Sequence, residues 1–308
     1  MFENFFGSHK TTFGLDIGYK TLKVAQIKRG SRSMKIVGYN EVPLIEGALQ
    51  KNGVKDKNKV AKTIRDACAL AKPHRITAQA VTSALPESLV FTKIISLPAI
   101  KPTEVDKVIP HEASDFFPLP QKDIYMDWQL IGSNAKNQVE VLVIAAPRSL
   151  VDAYVEMIRI AGRELVYLET KPAALTRALI DPDSKDIYLI LDIGAKSSGV
   201  TILEAGMIKL TTTIGVGGDQ IAADFAKNML TVGESIAKLI KYYEGRKAKI
   251  PKIKMIKLSG GGANIAGISS YLTKMLKVST EVGVPFLGAK LSGYDPKYAT
   301  VIGLAMRK

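Results

Sequence analysis

The sequence has little cysteine and few aromatic residues. Of its 308 residues one is cysteine, Cys68, and Phe, Trp and Tyr together make up 7%. A single cysteine excludes an intramolecular disulfide framework and a cysteine-based zinc ribbon, and a free thiol is typical of a reducing compartment. The three histidines, His9, His74 and His111, lie too far apart in the sequence to indicate a metal site.

Long apolar runs are also lacking. The runs at residues 141–146 and 188–191 are far shorter than the roughly 18 residues that a membrane-spanning helix needs, so we expect no integral membrane protein. The first seven residues, MFENFFG, have neither the cationic start nor the small-residue cleavage site of a signal peptide. We therefore expect a protein that stays inside the cell.

The composition is otherwise that of a folded chain, with 46% hydrophobic residues and a length that suits two domains. The formal net charge of +14 favours an anionic neighbour. The lysine-rich stretches at 51–62 and 246–257 have no interleaved aromatic residues, so we expect no nucleic acid partner. Solvated faces are the simplest interpretation of these stretches, and their positive field also suits a position near an anionic bilayer.

The strongest pattern in the chain is an internal repeat. The tetrapeptide LDIG occurs at residues 15–18 and again at 191–194, and the apolar residues around it repeat as well. In each copy the aspartate ends one strand, a glycine turn follows, and a second strand leads into a third, at 34–42 and 207–214. Two β-meanders, each followed by helical sequence, predict a duplicated α/β domain.

Residues 85–163 have no counterpart in the second half and predict an inserted α/β module. Its predicted elements are a strand at 89–96, a helix at 102–117, a strand pair at 124–131 and 139–145, and a helix at 147–161. The remaining predicted elements are helices at 57–72, 172–180, 218–230, 235–243, 262–277 and 296–306, and strands at 76–82, 165–169 and 255–258. We therefore predict a first core domain (1–84 and 164–180), an inserted subdomain (85–163) and a second core domain (181–308).

The two repeated turns predict a phosphate-binding site. Backbone N–H groups around a glycine can hold phosphate oxygens, and the carboxylates of Asp16 and Asp192 can hold Mg²⁺, directly or through water. The alternative is that D-x-G only ends a strand, but two copies with the same flanks favour the functional interpretation. The other predicted nucleotide-binding residues of the turns are Gly18, Tyr19, Lys20, Gly194, Ala195 and Lys196.

Two further glycine clusters extend the predicted site. The loop SGGGAN at 259–264 follows a strand and precedes a helix, where a ligand can approach bare backbone. From this loop we predict Gly260, Gly261, Gly262 and Asn264 as nucleotide-binding residues. Gly217 and Gly218, before another helix, are predicted to contribute, with a plain tight turn as the alternative. No P-loop and no dinucleotide-binding glycine pattern is present in the sequence.

The order of these elements resembles the superfamily of actin, the heat-shock ATPase chaperones and the sugar kinases, over nearly the whole chain. The resemblance implies an actin-like, duplicated ribonuclease-H-like fold in which the two core domains bind ATP and Mg²⁺ between them. The inserted module follows the first helix and the next strand, as in the FtsA and PilM families, and only about a dozen residues separate the third strand from the first helix. We therefore expect an FtsA/PilM-type subdomain.

Within that group the chain resembles the type IV pilus assembly protein PilM family. The resemblance lies in SLVFTKIISLP (88–98), HEA (111–113), DWQ (127–129) and GGDQ (217–220), with Phe117 before Pro118 where the family often has Ile. It implies a cytoplasmic scaffold peripheral to the inner membrane that docks the cytosolic tail of a PilN-like protein, with other pilus assembly proteins and its own copies as possible partners. The candidate partner-binding residues are Phe91, Ile94, Ile95 and Leu97, with plain core positions as the alternative.

The chain departs from the superfamily between the predicted helices at 218–230 and 235–243. Almost nothing separates them, so the outer lobe of the second domain is reduced and the adenine pocket is expected to be more open. Hydrolysis needs a group that orients the attacking water. Glu169 is the candidate catalytic residue, with a structural role as its alternative, and we expect weak or no ATPase activity. An FtsA-like filament-forming division protein and a small-molecule kinase are the other functions considered.

Overall fold

The computed structural model describes residues 11–30, 33–50, 53–98, 102–114, 116–133, 138–245, 252–285 and 294–307. Its strands are β1 (Thr12–Ile17), β2 (Thr21–Arg29), β3 (Met34–Pro43), β4 (Leu49–Gln50), β5 (Gly53–Val54), β6 (Lys72–Pro73), β7 (Ala80–Leu85), β8 (Phe91–Leu97), β9 (Ile124–Ser133), β10 (Val139–Pro147), β11 (Glu164–Thr170), β12 (Ile187–Ile193), β13 (Ser198–Glu204), β14 (Met207–Ile214), β15 (Met255–Ser259) and β16 (Thr280–Val282). The helices are α1 (Lys57–Ala69), α2 (Pro102–Ser114), α3 (Arg148–Ile160), α4 (Lys171–Leu179), α5 (Gly218–Ala223), α6 (Phe225–Glu244), α7 (Ile268–Leu276) and α8 (Ala299–Ala305). No helix in these ranges is long and apolar enough to cross a bilayer.

Two sheets repeat the same topology. The first has the strand order β11-β7-β1-β2-β3-β6 and the second β14-β13-β12-β15-β16, so each combines an antiparallel meander with two parallel strands. The hairpins also share a register, because Asp16 pairs with Lys23 and Asp192 with Gly199. The predicted duplication of an α/β unit is therefore confirmed.

The inserted segment forms a separate antiparallel sheet with the strand order β8-β10-β9. Its apolar face packs on α2, with Val105 and Ile109 of the helix buried against Val141 and Val143 of the central strand. The helix ends at Ser114, three residues earlier than predicted, and Phe117 folds back into this small core.

Helix α3 packs with the first sheet although it lies within the predicted inserted segment. Leu150, Tyr154 and Met157 are buried in the same core as α1 and the first hairpin. The predicted domain boundaries remain a prediction, but this packing shows that the chain has returned to the first core by about residue 146.

Helices α4 and α8 form the seam between the two main sheets. They share a core with Ile27 of the first sheet and with Ile190 and Leu203 of the second. Small residues allow the close approach, and Gly303 of α8 lies directly against the backbone of Ala174 in α4. The last predicted helix is divided, since Pro296–Tyr298 form a 3₁₀ turn before α8.

Several predicted element boundaries are wrong. We expected a break between two helices at residues 231–234, but α6 runs through them, and the break lies at Asp224, whose side chain accepts a hydrogen bond from Lys227 N. Gly233 is a buried position in α6 and not a helix breaker. The strand predicted at 76–82 is β7, at Ala80–Leu85. The helix predicted at 262–277 starts at Ile268, because Gly261–Asn264 form a 3₁₀ turn and Gly267 is left-handed.

Candidate functional site

One cavity of about 390 Å³ lies between the two repeated hairpins. The carboxyl ends of β1 and β12 bring their aspartates to its walls, and the glycine loop after β15 closes one side. The predicted residues that line the cavity are Asp16, Gly18, Tyr19, Lys20, Asp192, Gly194, Ala195, Lys196, Gly218, Gly260, Gly261 and Gly262. Residues that are far apart in the sequence are thus brought together as expected.

Two of the predicted residues, Gly217 and Asn264, do not line the cavity. The N–H of Gly217 donates to the Gln220 side chain at 2.9 Å and caps α5. The amide nitrogen of Asn264 donates to Asp295 at 2.9 Å. Both residues stabilise loops that carry the site, so their geometry favours positioning over contact.

The deepest part of the site joins Asp16 to Lys171, the first residue of α4. The ammonium of Lys171 lies 3.0 Å from Asp16 Oδ1, and the Asp16 side chain is 7% exposed. On the facing wall, Asp192 Oδ1 accepts a hydrogen bond from Ser259 Oγ at 2.9 Å. The aspartate pair therefore has two different environments, one with a cation and one with a hydroxyl group.

These environments shift the pKa values in opposite directions. Burial alone would raise the pKa of Asp16, but the ammonium groups of Lys171 and Lys23 outweigh it and hold this pKa below its usual value. Burial raises the pKa of Asp192, and the negative charge of Asp16 adds to the effect although Lys171 opposes it. Burial would lower the pKa of Lys171, but Asp16 and Asp192 raise it overall, which favours the charged form of Lys171.

The two turns have the same internal geometry. Gly18 N donates to Thr21 O at 2.9 Å in the first, and Gly194 N donates to Ser197 O at 3.0 Å in the second. The start of α5 is fixed to the second turn, because Gly218 N donates to Gly194 O at 2.8 Å. The repeated sequence pattern from which a phosphate-binding site was predicted thus corresponds to two equivalent glycine turns facing one cavity.

The side chains on the first turn link the two halves of the chain. Lys20 Nζ lies 2.7 Å from Asp219 of α5. The hydroxyl of Tyr19 is 3.0 Å from Ser88 Oγ, and its ring lies under the ammonium of Lys196, 5.6 Å from the centroid. A ligand that enters between the turns would meet Lys20 and Lys196 on opposite walls.

The glycine loop approaches the aspartate of the second hairpin closely. Gly260 has a φ of +81°, and a Cβ at this position would lie 2.8 Å from Asp192 Oδ1 and 2.4 Å from Ile193 O. Only glycine fits both the conformation and the space. The loop therefore keeps bare backbone beside the acidic group.

The structure places Glu169, the predicted catalytic residue, away from the cavity lining. Its side chain is fully buried, and Arg177 donates to both carboxylate oxygens at 2.7 and 2.8 Å. Arg307 adds a third contact at 2.6 Å. A carboxylate held by two guanidinium groups is not free to orient water, so this geometry favours the structural alternative.

Sequence reasoning missed several residues of the cavity lining, among them the charged residues Lys171 and Glu87. Both follow the carboxyl ends of the parallel strands β11 and β7, beside β1. Ligands in α/β sheets bind outside these strand ends. A search of polar residues directly after each parallel strand would have found both.

Glu87 connects the end of β7 to the second half. Its Oε1 accepts a hydrogen bond from Thr211 Oγ1 of β14 at 2.6 Å. Burial raises its pKa to about 7, the charge of Asp192 adds to this shift, and Thr211 and Lys171 oppose it.

We expect Glu87 to make the stability depend on pH. The folded protein holds the Glu87 proton more tightly than the unfolded chain, so the stability that it contributes at low pH is lost as the pH rises toward 7. Between about pH 5.5 and 7.5, Glu87 should remove about 2 kcal/mol from the free energy of unfolding relative to Glu87→Gln. Urea unfolding of both proteins in metal-free buffer measures this difference, and parallel pH curves would contradict it.

The four predicted partner-binding residues lie on β8 but not on one surface. Ile95 and Leu97 are buried in the core of the three-stranded sheet, and Phe91 packs against that core, 6.3 Å from Phe117. Ile94 alternates to the opposite face of the strand and is half-buried. Ile95 and Leu97 are therefore core residues, which was the alternative interpretation of these positions. Ile94 is the residue best placed to contact a partner.

Comparisons with known proteins support the predicted fold and the family resemblance. The sequence pattern of the family described as type IV pilus assembly protein PilM matches residues 14–232, and that of cell division protein FtsA matches 189–303. A solved PilM-PilN type IV pilus biogenesis complex is similar with a TM-score of 0.81 and 21% identity, over 97% of this chain and 98% of that one. The ethanolamine utilization protein EutJ from Carboxydothermus hydrogenoformans is similar with a TM-score of 0.54 and 16% identity, over 98% and 91%.

At these identities the structural likeness shows the fold. The predicted actin-like fold, with its FtsA/PilM-type inserted sheet, is confirmed. The reduced outer lobe agrees with the direct succession of α5 and α6. Because the family pattern covers more than half of the sequence, the chain belongs to the type IV pilus assembly protein PilM family.

Proposed function

We propose that this protein is a nucleotide-binding scaffold of the type IV pilus assembly machinery, which works at the cytoplasmic face of the inner membrane and docks the cytosolic tail of a PilN-like protein. The observation that carries the nucleotide part is the convergence of two acidic glycine turns and a third glycine loop on one cavity between the two sheets. The family membership and the PilN in the similar complex support the partner.

The residues of the cavity fit a phosphate chain with a bound cation. Lys20, Lys196 and Lys171 supply positive charge for phosphate oxygens, and the glycine loop brings bare backbone at Gly260 close to Asp192. Among the described residues no group of three or more His, Cys, Asp or Glu side chains is arranged to hold a metal alone. Mg²⁺ on nucleotides is usually held by one or two carboxylates, water and phosphate, which Asp16 and Asp192 suit. A Mg²⁺ ion held by these aspartates would neutralise phosphate charge.

We propose that nucleotide state tunes partner binding and that turnover is slow or absent. The carboxylate first considered for water orientation, Glu169, is held by Arg177 and Arg307. At the start of α4 the residue facing the cavity is Lys171, a cation that cannot accept a proton from water. Phosphate release from ATP at several turnovers per second would contradict this part of the proposal.

The decisive experiment is isothermal titration with ATP and Mg²⁺. The wild type should bind, and Asp192→Asn should weaken binding in Mg²⁺ by about two- to threefold, because the variant loses the carboxylate proposed to hold the cation. Asp183→Asn, on an exposed loop, is the matched control and should bind like the wild type. Melting curves confirm that both variants fold. Equal ATP affinity in all three proteins, or none in any, would refute nucleotide binding at this site.

The partner is tested with a synthetic peptide of the PilN-like cytosolic tail. Ile94→Asp should weaken peptide binding at least about tenfold, because it places a charge on the half-buried face of β8 that is proposed to meet the tail. Leu230→Asp changes an equally apolar, exposed side chain on α6 and should have no effect. Fluorescence anisotropy of a labelled peptide measures both. Unchanged affinity in Ile94→Asp would place the docking surface elsewhere.

The second candidate function is that of an FtsA-like protein that forms filaments. It is supported by the match of the FtsA sequence pattern to residues 189–303. Light scattering after ATP addition distinguishes the two functions. A scaffold remains small, whereas a filament-forming protein scatters strongly.

A further inference from the structure

Lys171 occupies the centre of the acidic cleft. It follows β11 directly as the first residue of α4, with Pro172 behind it, so its backbone position is fixed. Its side chain is 20% exposed and reaches Asp16 Oδ1 at 3.0 Å. Asp16 Oδ1 accepts no well-aligned hydrogen bond from the described residues, so its interaction with the Lys171 ammonium is an ion pair.

Three carboxylates from three separate elements line the cavity together with this ammonium. Asp16 comes from β1, Asp192 from β12, and Glu87 from the turn after β7, and all three interact electrostatically with Lys171. Lys23 is the next cation, but it lies 3.3 Å from Glu41 and shares its charge with that residue. Lys23 interacts with Asp16 and Asp192 too, but Lys171 is the cation that lies 3.0 Å from Asp16, and it interacts with Glu87 as well.

A buried group of carboxylates is stabilised either by protonation or by a cation among them. In a nucleotide cleft that cation is usually a divalent metal, which also neutralises the phosphates. Here an ammonium with three donors already lies 3.0 Å from Asp16 and lines the cavity together with Asp192. An ammonium can bond a carboxylate and a phosphate oxygen at the same time, since its three donors point in different directions.

We propose that Lys171 is a built-in cation of this cleft, which joins the two acidic turns and receives the phosphate chain, so that nucleotide binds without an obligatory divalent metal. The inference rests on the proposed nucleotide binding and goes beyond it, because it assigns to a side chain a role that Mg²⁺ was expected to hold. Mg²⁺ then adds to affinity but does not control it.

The test compares ATP affinity in excess Mg²⁺ and in EDTA by isothermal titration, for the wild type, Lys171→Met and Lys171→Arg. The wild type should lose less than about threefold in EDTA, whereas Lys171→Met should lose at least about tenfold and recover in part with Mg²⁺. Lys171→Arg keeps the charge and should retain binding in EDTA. Lys238→Met, on the exposed side of α6, is the control for a lysine-to-methionine change.

Thermal melting without nucleotide gives a second readout. Lys171→Met should melt at lower temperature than the wild type, because its carboxylates lose their common cation, and Mg²⁺ should raise the melting temperature of this variant more than that of the wild type. If Lys171→Met does not fold, the ATP affinity of the wild type in Mg²⁺ and in EDTA still tests the proposal by itself.

The possible failures are distinguishable. Wild-type binding that requires Mg²⁺ overturns the role of Lys171 and leaves the nucleotide-binding scaffold standing. An absence of ATP binding in both buffers overturns the proposed function and this inference with it.

Discussion

Replacing Glu169 by alanine is expected to lower the free energy of unfolding by about 3 to 5 kcal/mol, because the change leaves two guanidinium groups without their common carboxylate. The Glu169 side chain is fully buried, Arg177 is 25% exposed and Arg307 is 8% exposed, so water cannot replace the lost partner at Arg307. Arg177 also donates to Gly303 O at 2.7 Å, which ties this network to α8. The loss of stability therefore involves α4 and α8, the two helices at the seam between the sheets.

Urea unfolding measures this effect, and Glu234→Ala is the control. Glu234 lies on the exposed side of α6, and its replacement should change the stability by no more than about 0.5 kcal/mol. ATP affinity per folded molecule should be the same in Glu169→Ala as in the wild type. A variant with normal stability and altered nucleotide handling would instead support the catalytic interpretation.

Replacing Gly303 by alanine is expected to lower the free energy of unfolding by about 3 kcal/mol, the upper end of the usual cost of overpacking. A Cβ at this position would lie 2.0 Å from Ala174 O and 2.6 Å from Ala174 C, and both are backbone atoms of a buried helix. Neither can rotate away, so α4 and α8 must separate. The core that these helices share with Ile27, Ile190 and Leu203 would open with them.

Gly215→Ala is the matched control for this prediction. A Cβ at Gly215 would meet no atom within 4 Å, so the same chemical change should leave the stability within about 0.5 kcal/mol of the wild type. Thermal melting of both variants checks the comparison. Equal melting temperatures for Gly303→Ala and the wild type would show that the helix contact is looser than the structure indicates.

The sequence predicted the parts of the site that are local. A strand-end aspartate, a glycine turn and a returning strand involve about ten adjacent residues, and backbone geometry decides their arrangement. Both hairpins and the glycine loop after β15 were found in this way. The repeat then placed Asp16 and Asp192 on equivalent positions.

The boundaries of the helices and the packing of distant elements could not be predicted as well from the sequence. The helix break expected near Gly233 was wrong because packing, and not intrinsic preference, decides whether a buried glycine interrupts a helix. Helix α3 belongs to the first core because its apolar face meets α1, which sequence periodicity alone does not reveal.

By itself the sequence determined the duplicated fold, the two acidic turns and the position of the inserted sheet, because each depends on short patterns that local geometry constrains. Only the tertiary structure decided that Lys171 pairs with Asp16, that Glu169 is held by Arg177 and Arg307, and that Glu87 reaches Thr211. Many charge pairings are compatible with one sequence, and the packing of distant elements selects among them. Burial then sets how strongly each selected charge interacts.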